Sequence, residues 1–307
     1  MPWFSRPNRE PGLMAVSLAP GLMHYAFSEP TAGRGSTLRR CGSYTLRDAD
    51  AAHRASRDLR LERYRCTTLL NPGEYQLLMV DAPNVPPPEL KSAIRWSVKD
   101  LLDFHIDDAT VDVLDVPRGP EVGNRPHPMF AVGARNETIQ ATVDRYRGAH
   151  VPITIIDVVE TAQRNISARY EEGERGVALL YLGESSGLLT ISAHQELCFA
   201  RRIDVGVGAG GTIAQETLDR LLLELQRTLD HFDRQFRHIA LGKLVVGPEP
   251  RDSNIVSFLD SHLEISVAPV HLREVLEFGP QIELAREAEW RLFHLVGASL
   301  RQETKVV

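Results

Sequence analysis

Residues Leu69–Pro117 read LLNPGEYQLLMVDAPNVPPPELKSAIRWSVKDLLDFHIDDATVDVLDVP, and the order of elements in this stretch decides the fold. Tyr75 to Val80 is an apolar, strand-like run. It enters a stiff segment holding Pro83, Pro86, Pro87 and Pro88, where proline suits a first helical turn because its missing N–H is no loss. Leu90, Ala93, Ile94, Ser97, Val98 and Leu101 then recur at helical spacing and form one buried stripe. Trp96 falls about 200° around the helix from Ile94, off that stripe and on the outer face. An acidic knuckle with His105, Asp107 and Asp108 follows, then a second strand, Thr110 to Val116. Strand, helix and strand make one compact βαβ-type unit inside a longer α/β chain.

The totals narrow the function classes. The chain has 307 residues, 43% hydrophobic and 25% charged, enough for two domains or one large one with subdomains. Its net charge of −6 offers no broad basic surface, and no nucleic-acid partner is expected. Cys41, Cys66 and Cys198 are far apart, with no CxxC or Cys/His spacing, so reduced thiols are expected rather than a zinc site or disulfide framework. No run of roughly 18 apolar residues could span a membrane, and no direct membrane insertion is expected. Arg6 and Arg9 precede an apolar stretch, Gly12 to Phe27, that has the look of a signal peptide. Glu10, Pro20-Gly21 and His24 interrupt it, and the alternation of Met14, Val16 and Leu18 before Pro-Gly fits a β-hairpin. The chain is read as cytoplasmic.

Beyond the hairpin, Thr31 to Gly42 reads as a loop and Ser43 to Leu46 as a weak strand. Asp48 to Arg65 is expected to be a solvated helix, its arginines matched by Asp48, Asp50, Asp58 and Glu62. A loop over Arg118 to Pro128 leads to a strand at Met129 to Ala134 and a helix capped by Asn136. A strand at Ile153 to Ile156 feeds a helix opened by Asp157 and Glu160 at capping-box spacing. A polar boundary at Glu171–Arg175 precedes three runs, Val177 to Leu182, Leu188 to Ser192 and Leu197 to Ile203, which read as an antiparallel meander. The longest helix carries Leu218, Leu221, Leu222, Leu225, Leu229, Phe232 and Phe236 on one face. A strand at Lys243 to Val246, a helix, a strand near Leu263 to Val267 and a last helix from Ile282 to Arg301 complete the chain.

Each half thus opens with a meander and follows it with helices. On the residues of Leu69–Pro117, Ile153–Ala162 and Phe199–Phe236, the chain resembles the PilM-like proteins of type IV pilus assembly, most closely the MSHA-biogenesis, MshI-type branch. The resemblance implies an actin-like ATPase (ribonuclease H-like) α/β fold of two duplicated halves with a small inserted subdomain. Residues 1–82 would form the first half, completed by 151–174 and the helix 282–301. The subdomain would occupy 83–150, and the second half 175–281.

In actin-like folds the phosphates of a nucleotide lie between two hairpins, each opening on Asp-hydrophobic-Gly. The aspartates organise Mg²⁺ and water, and the glycine admits backbone N–H groups. The corresponding triplets here are Ser17-Leu18-Ala19 and Tyr181-Leu182-Gly183. Both acids are missing, and a hard cation prefers anionic oxygen ligands. No hydrolysis and no cofactor are therefore expected; the remaining alternative is ATP/Mg held at low affinity by Gly183, Ser185, Ser186, Gly187, Glu224, Arg227 and Gly247. The run Gly206–Gly211 matches GxGxxG, but the strand before it is antiparallel in this reading and Gly247-Pro248 stands where an acidic ribose ligand is wanted. His105, Asp107 and Asp108 lack a fourth ligand, so a solvated turn is expected and no metal site.

The resemblance implies a scaffold on the cytoplasmic face of the inner membrane, binding the N-terminal tail of a PilN-like bitopic protein. Trp96, Val98, Lys99, Leu102, Phe104, Val111 and Val113 are similar in position to the tail groove. Contact with the pilus assembly ATPase and a homodimer are further partners the resemblance suggests. Competing readings are an active actin-like ATPase, a GspL-like platform component of type II secretion, and a Rossmann oxidoreductase resting on the glycine run alone.

Overall fold

The computed structural model describes residues 9–31, 35–48, 50–117, 127–208, 213–249 and 253–302. The chain opens with β1 (Leu13–Ala19), β2 (Leu22–Pro30) and β3 (Ser36–Thr45), then α1 (Ala51–Leu59) and β4 (Arg65–Leu69). The three-stranded unit holds β5 (Tyr75–Asp81), α2 (Pro87–Ser97), β6 (Ala109–Asp115), β7 (Pro128–Arg135) and α3 (Asn136–Gly148). After β8 (Ile153–Asp157) and α4 (Val159–Ser167) come β9 (Gly176–Leu182), β10 (Gly187–Ala193), β11 (Glu196–Ile203) and the long α5 (Gln215–Gln235). β12 (Leu241–Val246), α6 (Ile255–His262), β13 (Val267–Pro269), α7 (Leu272–Val275), β14 (Glu277–Phe278) and α8 (Arg286–Ser299) follow.

The two large sheets repeat one topology. In the first the order is β3-β2-β1-β4-β8, with β14 added at the β3 edge; in the second it is β11-β10-β9-β12-β13. In each, the first three strands in sequence are antiparallel and the next two lie parallel to the first. The halves are therefore duplicates. Helices α4 and α8 pack against one another between them, α8 against the first sheet and α4 against the second. Ala15, Ala26 and Leu38 from one sheet and Val177 and Leu179 from the other close over Ala162, Ile166, Phe293 and Val296.

In the third sheet, β7 lies between β5 and β6 and is antiparallel to both. The expected βαβ unit is thus split, with a later strand inserted between its two parallel strands. Its sheet starts at Tyr75, upstream of the boundary expected at residue 83. Both faces are covered, and the period-2 pattern shows it. Leu78, Val80, Met129, Ala131, Val111 and Val113 pack under α2, while Leu77, Met79, Phe130 and Leu114 pack on the second half.

Several local expectations are corrected. Residues 36–42 are strand rather than loop, because β3 pairs with β2 along its length and with β14 beyond, satisfying a polar Ser/Thr/Arg backbone. The Arg-rich helix is short and stops where Arg60 adopts a left-handed conformation (φ 54°). Asn136 is the first residue of α3 and not its cap; its side chain bonds to Thr110 and to the Asp107 carbonyl. The strand expected near Leu263 to Val267 lies later, at Val267–Pro269, and the last helix starts at Arg286. The expected loop over Arg118 to Pro128 falls, for residues 118–126, outside the described residues.

Candidate functional site: the cleft between the halves and the face of α2

The two expected hairpins are present, and their tips carry the sequence triplets. Ser17-Leu18-Ala19 closes β1, and Tyr181-Leu182 closes β9 before the turn at Gly183–Ser186. Hydrogen bonds from other parts of the chain hold both tips. At the first hairpin, the Leu18 N–H donates to the buried Tyr146 hydroxyl (3.1 Å), which donates to the Val16 carbonyl (3.1 Å) and accepts from Thr68. At the second, the Gly183 N–H is spent on the Ser186 carbonyl (2.8 Å) and the Gly247 N–H on the Leu180 carbonyl (2.7 Å).

Tyr181, which opens the second sequence triplet, is wedged by α8. Its ring stacks on Phe293 (5.3 Å between centroids, 6° between planes) and meets His294 edge-on at 4.3 Å. Its hydroxyl donates to the Trp290 carbonyl (3.0 Å), and the Trp290 indole N–H donates back to the Leu182 carbonyl (2.8 Å). Below it, Gln163 of α4 is fully buried. Its amide nitrogen reaches the carbonyls of Leu179 and Leu188 and the Thr190 hydroxyl, while its oxygen bonds to His294 Nε2 (3.0 Å). Burial, then the charge of Arg202, push the His294 pKa down to about 3, so the imidazole is neutral at ordinary pH. Among the described side chains that stack on or hydrogen-bond to this ring, none is a carboxylate; the negative charge nearby is that of Glu184 on the exposed turn.

The predicted nucleotide residues divide: Ser185, Ser186 and Gly187 share the turn with Gly183 and Gly247 adjoins the Tyr181 ring, while Glu224 and Arg227 lie on α5. Glu224 pairs with Arg201 on β11 (2.8 Å) and lies 3.8 Å from Arg227, and no hydrogen bond or ion pair among the described residues links this group to the 183–187 turn. Ser185 and Ser186 are exposed at the turn itself. The glycine run has a structural use: Val207 and Gly208 donate to the carbonyls of Gly183 and Glu184. A Cβ on Gly206 would lie 2.4 Å from the Glu184 oxygen, so glycine is needed for close approach and not for a pyrophosphate. Residues 209–212 of that run lie outside the described residues.

On the subdomain, the predicted partner residues divide. Trp96 is 66% exposed, Lys99 is exposed, and Phe104 and Val113 are half-buried, Phe104 under the Arg135 guanidinium at 4.6 Å. Val98, Leu102 and Val111 are instead core residues beneath α2, and Leu102 packs against Gly133, where an added Cβ would sit 2.6 Å away. Leu101, expected on the buried stripe, is 51% exposed because α2 ends at Ser97 and the chain continues in turns. His105 and Asp107 form a local contact, the Asp107 N–H donating to His105 Nδ1.

The Asp157/Glu160 pair also differs from its expected capping box. Asp157 accepts from the Val158 N–H, Thr161 and Arg301 (2.6 Å). Glu160 is buried and turns away, accepting from the Tyr75 hydroxyl of the subdomain and from Arg202 of β11 (2.9 Å). One carboxylate thus joins three parts of the molecule. Sequence reading missed it, as it missed Gln163 and the α8 aromatics, because these groups meet only through tertiary packing.

Comparison with solved structures follows this geometry closely. A chain of a PilM–PilN type IV pilus biogenesis complex superposes with a TM-score of 0.71 over 96% of this chain and 98% of that one, at 17% identity. The fold is actin-like. The cytoplasmic domain of EpsL, an inner-membrane component of the type II secretion system of Vibrio cholerae, is similar with a TM-score of 0.50 over 95% and 96% of the two chains, at 12% identity. No protein-family model matches the chain, and no curated protein matches it. At these identities the likeness carries the fold, duplication and insert included, and leaves the residues to be argued individually.

Proposed function

We propose that this chain is a cytoplasmic scaffold of a type IV pilus assembly platform, a member of the PilM-like family and of its MSHA branch. It grips the cytoplasmic tail of a PilN-like bitopic inner-membrane protein and is held at the membrane through that partner, without hydrolysing ATP. Full-length similarity to a chain of the PilM–PilN complex supports the platform reading. The observation that carries the absence of turnover is Tyr181, locked by Phe293, Trp290 and His294 where a magnesium-organising carboxylate would have to stand. A neutral hydroxyl held against the Trp290 carbonyl does not supply the anionic oxygen that a hard cation prefers. Among the described residues, no helix is long and apolar enough to cross a membrane, so attachment through partners fits the chain.

Two measurements test the reading. Calorimetry with Mg·ATP is expected to show no binding heat, and purified protein no catalytic release of phosphate; turnover in a preparation free of contaminating ATPases would overturn the scaffold. Capture of PilN-like tails from pilus systems, set against tails of type II secretion partners, separates the pilus reading from the secretion alternative that the EpsL likeness favours. Trp96→Ala is the clean variant for this experiment. Leu102→Ala is not, because that side chain is in the core and its loss would weaken the subdomain itself.

A further inference from the structure

The Trp96 face carries a charge imbalance that says what kind of segment it fits. Between residues 83 and 117 there are seven acidic and three basic residues, a net −4 against −6 for the whole chain. Asp100, Asp103, Asp107, Asp108, Asp112 and Asp115 are all exposed. The nearby cations offset only part of this charge, and exposed Lys99 beside Asp100 makes no ion pair among the described residues. Lys91 pairs with Asp112 (2.8 Å), while Arg95 is committed to the carbonyls of Ala109 (2.6 Å) and Ile106, and Arg135 lies over Phe104. His127 faces Asp115, and His105 lies 3.5 Å from Asp107. Asp100, Asp103 and Asp108 have no cationic partner among the described residues.

Two large apolar side chains stand among these acids. Trp96 is 66% and Leu101 51% exposed, at either end of the turns that close α2, where Lys99 N–H reaches the Trp96 carbonyl and Leu101 N–H the Val98 carbonyl. An exposed indole beside unpaired carboxylates is matched by an apolar group flanked by cations, which gain both apolar burial and attraction to the ring face. An anionic lipid surface would be repelled by the same carboxylates, so the tryptophan does not suit a membrane anchor.

We propose that the Trp96 end of α2 and the acid-rich turns after it dock a protein segment bearing Lys/Arg residues around one large apolar side chain. This rests on the reading of the chain as a tail-binding platform and adds the chemistry of the tail. Segments of membrane proteins on the cytoplasmic side carry such an excess of Lys/Arg close to the bilayer.

The test uses the full chain and two synthetic peptides of equal length and identical apolar centre, one flanked by lysine and arginine, the other by glutamate. Isothermal titration calorimetry is expected to show binding of the basic peptide only, weakening as salt rises. Trp96→Ala should lower its affinity about tenfold or more, equivalent to roughly 1.4 kcal/mol. The triple change Asp100→Asn, Asp103→Asn, Asp108→Asn should lower affinity and flatten the salt dependence while leaving the thermal midpoint unchanged. Equal binding of the glutamate peptide, no binding of either, or indifference to both variants overturns the proposal. So does sedimentation showing that the face is occupied by the Arg54, Arg57, Arg60 and Arg63 surface of a second copy. A PilN-like tail captured equally by wild type and Trp96→Ala would overturn this surface while leaving the platform reading in place; a tail captured by neither would remove both.

Discussion

Tyr181 is where a single side chain decides most. A large aromatic ring at the end of β9 must be packed, and Phe293, His294 and Trp290 supply the packing. Tyr181→Ala is expected to cost about 3–5 kcal/mol through the cavity it leaves. Tyr181→Phe should cost only about 1 kcal/mol, the value of one hydrogen bond; urea titration distinguishes them. His294 gives a pH signature. Its pKa falls from 6.5 in the open chain to about 3 when folded, so above pH 6.5 it is neutral in both states. On acidification through that window only the unfolded chain takes up the proton, and stability declines by about 1.4 kcal/mol per pH unit. Glu171, Glu196 and Glu289, raised chiefly by burial, act in the opposite sense, gaining their protons first in the folded state. The comparison that isolates the histidine is therefore wild type against His294→Asn at pH 7 and pH 5, the variant losing less.

At the level of elements, one glycine sets how closely two helices approach. A Cβ on Gly297 would sit 2.2 Å from the Ala162 carbonyl, so α8 and α4 meet backbone to backbone, and Asn165 fixes the contact with a bond to the Gly297 carbonyl (2.9 Å). Gly297→Ala is expected to destabilise by about 1–3 kcal/mol and to lower the thermal midpoint, because neither backbone has room to yield. The periodic patterns of α2 and α5 and the alternation in β5, β6 and β7 were legible in sequence, since each records burial on one face or both. Strand β3 was not, because its Ser, Thr and Arg residues are satisfied by neighbours far along the chain. The register of α2 against its following turns was legible only as far as Ser97, where the helix ends and Leu101 swings outward.

For the whole molecule, the Glu160–Tyr75–Arg202 junction ties the inserted sheet, the first half and the second half together. Removing the cation with Arg202→Ala leaves a buried carboxylate short of a partner. A loss of about 1.5–3 kcal/mol is expected for one charged hydrogen bond, discounted because the arginine is partly exposed. The specific readout is faster hydrogen exchange at the β5 amides than at β12, which lies remote from the junction; uniform acceleration would mean that Arg202 has no role in seating the subdomain. The sequence by itself determined the first hairpin, the second meander, the long helices and the strand-helix-strand order of the insert, because hydrophobic periodicity and local residue chemistry are properties of neighbouring positions. Only the tertiary structure decided that β7 splits the βαβ unit, that Leu102 and Val111 are core, and that aromatic rings of α8 pack on Tyr181. Those outcomes depend on residues from separate elements meeting in one place, as Leu102 and Gly133 do and as Tyr181 and Trp290 do across 109 positions, and no local pattern encodes such a meeting.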